Sequence, residues 1–138
     1  RLDKDSEGLL LLTNDGQAAH RLLSPRRHVP KTYFAKLEQA AGKADVEVMK
    51  RGVTLEDGYR TLPAELKLDT RDPRRIWLTI YEGKFHQVKR MFEAVGNRVC
   101  YLKRVQFGPV PLDETLEAGA CRELTAEEKK QLGIEEEL

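Results

Sequence analysis

The sequence predicts an α+β fold, a mixed sheet flanked by helices, in one domain over residues 1–138. Three observations predict it. Apolar residues alternate with polar ones in "KTYFAKLE", and β-branched and aromatic residues dominate "RIWLTIYEG", as strands require. The period changes after Gly83, where Val88, Met91, Phe92 and Val95 fall at i, i+3, i+4 and i+7, the stripe of an amphipathic helix. Turn residues at Asp57-Gly58 and Asp72-Pro73 separate short apolar runs, a hairpin pattern. Strands and helices interspersed in this way favour α+β, and no repeat or linker divides the chain.

Taken in order, Leu9 to Thr13 is an unbroken apolar run, expected as a strand buried on both faces, with Gly8 as the turn before it. Asn14 or Asp15 can cap a short helix through "GQAAHRLL", which stops at Ser24-Pro25. In "KTYFAKLE", Tyr33, Ala35 and Leu37 lie on one face and Thr32, Phe34 and Lys36 on the other. Asp45 is placed to cap "VEVMKR" and Gly52 to end that helix. "GVTLEDGYRTLPAELKLDTRDPRR" reads as short strands and turns, followed by the strand "RIWLTIYEG". On the helix "HQVKRMFEAVG", Lys89 lies off the apolar stripe three residues after His86, so the two share a flank. Arg90 and Glu93 are spaced to pair elsewhere on that helix. "RVCYLKRVQFG" returns to strand, and "LTAEEKKQLG" opens with a Thr125/Glu128 capping box.

Composition bounds the class. Forty per cent hydrophobic and 34 per cent charged residues are the balance of a soluble globular chain. The longest apolar run is four leucines, far below a membrane span, and no leader-type segment is read. Two cysteines, Cys100 and Cys121, are no disulfide framework and are expected as reduced thiols in a cytoplasmic protein. The net charge of +1 hides an uneven distribution. Lys84, Lys89, Arg90, Arg98, Lys103 and Arg104 are opposed only by Glu93 in their segment. From residue 123 onward Glu123, Glu127, Glu128, Glu135, Glu136 and Glu137 outnumber Lys129 and Lys130. A basic stripe beside an acidic tail fits a polyanion-binding face, and solvated element faces explain the charges alone about equally well.

The opening "RLDKDSEGLLLLTNDG" poses a choice of chemistry. Asp3, Asp5, Glu7 and Gly8 match the first half of a calcium loop. The twelfth position, which should be a bidentate Glu, is Asn14, and the second half would be the apolar run. A metal site is therefore not expected. Asp5 and Glu7 read as turn and surface residues.

The same stretch closely resembles the catalytic-aspartate motif of the RsuA-like family of ribosomal RNA pseudouridine synthases. "KTY" at Lys31 to Tyr33 resembles that family's tyrosine motif, "EGKFHQVKRMFEAVGNRV" its basic motif, and "LKRVQFGP" its late strand with a conserved leucine. Four motifs in order cover residues 1–109, and the resemblance extends over essentially the whole chain. It implies the pseudouridine synthase catalytic fold, with a mixed, mostly antiparallel sheet. It also implies an N-terminally truncated domain lacking the small RNA-binding S4 domain that usually precedes it.

What the resemblance implies for function is isomerisation of a uridine in ribosomal RNA: the N1–C1′ bond breaks, the base turns, and C5 joins C1′. Nothing is oxidised and no group is transferred to a second molecule, so no cofactor is expected. By this resemblance Asp3 is the catalytic carboxylate and Lys89 its basic partner, a cation that would favour the charged carboxylate. Tyr33, the third catalytic residue the resemblance implies, would stack on the target base and assist proton removal from C5, Leu102 would contact the base opposite, and Arg1 would help hold the flipped nucleotide. Without the resemblance, Lys89 is a solvent-facing helix lysine, Tyr33 a strand aromatic and Leu102 a core leucine. Arg26, Arg27, Lys84, Arg90, Lys103 and Arg104 are candidates for backbone phosphates. The small-subunit (16S) branch of the family is the nearer in style, with the large-subunit branch or a non-catalytic RNA-binding fragment as alternatives. The expected partner is ribosomal RNA or a partly assembled ribosomal particle, bound by a monomer without membrane contact.

Overall fold

The computed structural model describes residues 1–133, apart from the side chain of Pro25. A six-stranded sheet organises the chain. Its strands are β1 (Glu7–Gly8), β2 (Lys31–Leu37), β3 (Glu65–Leu68), β4 (Arg75–Ile80), β5 (Val99–Phe107) and β6 (Val110–Pro111). The order is β1-β5-β2-β4-β3, with β6 also on β5. The β1–β5 pair is parallel and every other pair antiparallel. The helices are α1 (Gly16–Leu23), α2 (Lys43–Arg51), α3 (Gln87–Ala94) and α4 (Ala126–Gln131), with a single 3₁₀ turn at Pro25–Arg27. Among the described residues no helix is long and apolar enough to cross a membrane.

The two faces of β2 separate as its alternation predicts. Ala35 and Leu37 join Leu66, Ile76, Leu78, Ile80 and Leu102 in the buried core, closed by Met49 of α2 and by Val88, Met91 and Phe92 of α3. On the other face Phe34 lies opposite Trp77 and Lys103, and Lys36 opposite Arg75 and Tyr101. That face is half-buried or exposed. Phe92 is fully buried at the α3–sheet contact. A Phe92→Ala chain is expected to lose about 3–5 kcal/mol of stability by transfer plus cavity terms, read as a lowered urea midpoint at unchanged slope.

The helix boundaries follow local chemistry. Asp15, rather than Asn14, caps α1, its carboxylate accepting from the amides of Gln17 and Ala18. Asp45 sits three residues inside α2 and accepts from the Gly42 amide at 2.8 Å, so the cap itself is Gly42. Gly52 ends α2 with φ +90, and a Cβ there would lie 2.5 Å from the Thr61 carbonyl oxygen. Thr125 and Glu128 form the expected capping box on α4. Glu135, Glu136 and Glu137 of the acidic tail lie outside the described residues.

Three further expectations fail. Leu9 to Thr13 is not a strand, and Leu10 and Leu12 are 45% and 80% exposed. The cause is competition for one edge of β5. Its other edge is occupied along its length by β2. β1 pairs Glu7 with Lys103 and Gly8 with Arg104, but further along β6 pairs with Gln106 and Phe107. The leucines arrive where the ladder is already taken. Gly8 is itself part of β1, with φ +107, rather than a preceding turn. Arg90 does not pair with Glu93, because its guanidinium reaches Glu56 at 2.6 Å and Asp57 at 2.7 Å in the Asp57-Gly58 turn.

Candidate active site

The residues before β1 form a turn stitched by the Ser6 amide donating to the Asp3 carbonyl. Its position is set from β5. The buried Arg104 guanidinium donates to the carbonyls of Leu9 at 2.8 Å and Arg1 at 3.2 Å, so one side chain ties both ends of the segment. Gly8 packs directly on the Arg104 backbone, where a Cβ would stand 2.2 Å from its carbonyl oxygen. This close approach needs glycine.

The opposing wall is the first turn of α3 and the loop before it. Glu82 is buried and acts as a hub: one oxygen accepts from the Leu62 amide and from Gln87 Nε2, the other from the Tyr59 hydroxyl. That bond pushes the Tyr59 hydroxyl pKa up to about 12. Gln87 in turn accepts from the Lys84 amide and donates its own amide to the Lys84 carbonyl. The loop is thus fixed at both ends before α3 begins.

Turn and helix meet at Asp3 and Lys89. Lys89 Nζ lies 3.5 Å from Asp3 Oδ2 and 2.5 Å from Asp5 Oδ1. His86 Nε2 lies 3.6 Å from Asp3 Oδ1. Asp3 is 24% exposed and Asp5 74%, so Asp3 is the recessed carboxylate and Asp5 the solvent-facing one. Burial pulls the Lys89 pKa down, but the Asp5 hydrogen bond and the charges of both aspartates outweigh it and hold the ammonium above the usual lysine range. The Lys89 hydrogen bond is also the main cause holding Asp5 below the usual aspartate range. The pair is therefore lost only as pH falls through the depressed Asp5 value or rises through the raised Lys89 value. A recessed carboxylate facing an ammonium and an imidazole suits a nucleophile or base working at neutral pH.

The remaining candidates divide by place. Tyr33 of β2 is half-buried against the core and lies opposite Arg104 of β5. Leu102 is buried within the core. Arg1 is exposed at the end of the turn, and its carbonyl is held by Arg104. Lys84 is exposed on the loop beside α3, its ammonium 4.9 Å from the Tyr59 ring. Arg26 and Arg27 are exposed in the 3₁₀ turn. Lys103 belongs to the Phe34–Trp77 face, opposite the core. Two candidates are spent on structure. Arg104 is 4% exposed and bound to main-chain carbonyls. Arg90 holds Glu56, Asp57 and the Phe85 carbonyl.

The sequence places His86 beside Lys89 without marking it as part of the site, and it marks Asp5 only as a turn residue. The i, i+3 spacing was the signal for His86. For Asp5 the partner is 84 positions away, and no local pattern carries that.

Comparison with known proteins bears on this arrangement. The family model described as RNA pseudouridylate synthase matches residues 1–94. A Bacillus subtilis protein named uncharacterized RNA pseudouridine synthase YtzG is 56% identical over 93% of this chain and 54% of its own length. An Escherichia coli K12 protein named ribosomal small subunit pseudouridine synthase A is 47% identical over 93% of this chain and 55% of its own. A crystal structure titled pseudouridylate synthase superposes with TM-score 0.90 at 44% identity, over 95% of this chain and 56% of that one. The expected fold is thereby met. The chain spans about half the length of the curated relatives it matches.

Proposed function

Since the chain belongs to the RNA pseudouridylate synthase family, we propose that it converts a uridine of small-subunit ribosomal RNA to pseudouridine, with Asp3 as the catalytic carboxylate. The observation that carries the reading is the convergence of Asp3, Lys89 and His86 from two distant segments. The substrate choice is supported by relatives named for the ribosomal small subunit, 46–47% identical to this chain. In this reading the uridine leaves its stack and enters between the turn and α3. The carboxylate acts at the sugar or base while the N1–C1′ bond breaks and the C5–C1′ bond forms. Lys89 holds the opposing charge and no cofactor takes part. Tyr33 and Leu102 flank the base. Lys84, Arg26 and Arg27 face solvent and are the side chains proposed for phosphates, with Arg1 at the site's edge. The chain works as a monomer in the cytoplasm, on RNA or on a partly assembled ribosomal particle.

The test is to incubate unmodified small-subunit and large-subunit transcripts separately with the protein and map pseudouridine. Product in the small-subunit transcript alone is expected. Product only in the large-subunit transcript reverses the substrate assignment, and binding without product from either leaves an RNA-binding module. Binding should weaken steeply with salt, because phosphate neutralisation releases counterions.

A further inference from the structure

Phe85 is 74% exposed at the lip of the Asp3 site. Its ring stacks on His86, centroids 3.8 Å apart and planes 16° from parallel, and His86 reaches Asp3. An aromatic pair therefore leads from solvent to the carboxylate. The segment is held from several sides. Arg90, itself bound to Glu56 and Asp57, donates to the Phe85 carbonyl at 2.7 Å. Gln87 fixes Lys84 on the other side. His86 adopts φ 46 and ψ 39, the left-handed region that side chains with a Cβ rarely enter, and such strain collects at functional sites. The ring is thus presented outward by a braced loop, one residue after the exposed Lys84, whose ammonium lies 4.9 Å from the Tyr59 ring.

We propose that Phe85, backed by His86, is a nucleobase-stacking site for the base adjoining the target uridine, filling the gap that the flipped nucleotide leaves. The proposal rests on the RNA-modifying reading above and adds how the RNA is opened. A uridine leaving its stack exposes the π-face of its neighbour, and an apolar wedge inserted there holds the gap open. The face of Phe85 not covered by His86 supplies the wedge. A planar base fits this pair better than an apolar protein segment does, since the exposed ring is already stacked face to face on an imidazole and a base extends the same stack.

The experiment uses unmodified small-subunit transcript with the parent chain, Phe85→Ala and Phe85→Trp. Base–aromatic stacking predicts a loss of roughly 10- to 100-fold in kcat/KM for Phe85→Ala, with an unchanged melting temperature and substantial rescue by Phe85→Trp. The indole introduced by Phe85→Trp is expected to lose most of its emission on binding RNA, after subtraction of the parent's Trp77 signal. A parental rate for Phe85→Ala, or unchanged indole emission at saturating RNA, overturns the stacking site. If the parent binds RNA but forms no pseudouridine, the catalytic reading fails, and the indole signal still decides the stacking site. Failure of the parent to bind RNA overturns both.

Discussion

An Asp3→Asn chain is expected to make no detectable pseudouridine, a loss of at least roughly 10²–10⁴-fold by the usual worth of a positioned acid–base group. Asparagine keeps the size of the side chain and removes the charge, so little else should change. Asp3 is recessed but partly solvated, and ion pairs of that kind contribute about 0–1 kcal/mol. The closer Lys89–Asp5 contact still ties the turn to α3. Melting temperature and RNA affinity should therefore stay near parental values while turnover disappears, and both can be measured on the same preparation.

The second large effect is expected at Arg104, which acts on Asp3 only through the backbone. Its guanidinium holds the carbonyls of Arg1 and Leu9, the two ends of the segment that carries Asp3. Hydrogen bonds from a charged donor are worth about 1.5–3 kcal/mol each. Arg104→Met, which keeps the apolar bulk, should therefore release that segment without melting the core. The expected signature is loss of exchange protection at the Leu9 amide, which donates to the Arg104 carbonyl, together with loss of turnover. Arg104→Lys should recover little, because an ammonium lacks the planar fork that spans two acceptors. Normal protection and normal turnover in Arg104→Met would show that the segment is held by other contacts.

These two residues also mark what the sequence could and could not reveal. The strands β2, β4 and β5 and the helix α3 were legible because one face of each is buried, and burial writes its period into the chain. Asp3 and Lys89 were paired by motif, and the geometry brings them together. From sequence, Arg104 and Arg90 are candidates for phosphate contacts because a run of cations looks like a solvated face. Whether a cation is already engaged by the protein depends on acceptors far along the chain: the Arg1 and Leu9 carbonyls for the buried Arg104, Glu56 and Asp57 for the half-buried Arg90. The leucine run misled for a related reason. Apolar character signals a tendency to be buried, but whether a strand forms depends on a free sheet edge, and β6 holds that edge.

Two aspartates flank Lys89, and the shorter contact is to Asp5 rather than Asp3. Hydrogen-bond length alone would favour Asp5, whereas recession and the His86 contact favour Asp3. Single-turnover rates of the parent, Asp3→Asn and Asp5→Asn on one unmodified small-subunit transcript decide between them. With Asp3 as the catalytic carboxylate, Asp3→Asn gives no product, and Asp5→Asn stays within about tenfold of the parent, the scale of an exposed ion pair. Product from Asp3→Asn at the parental rate, with none from Asp5→Asn, would contradict the assignment.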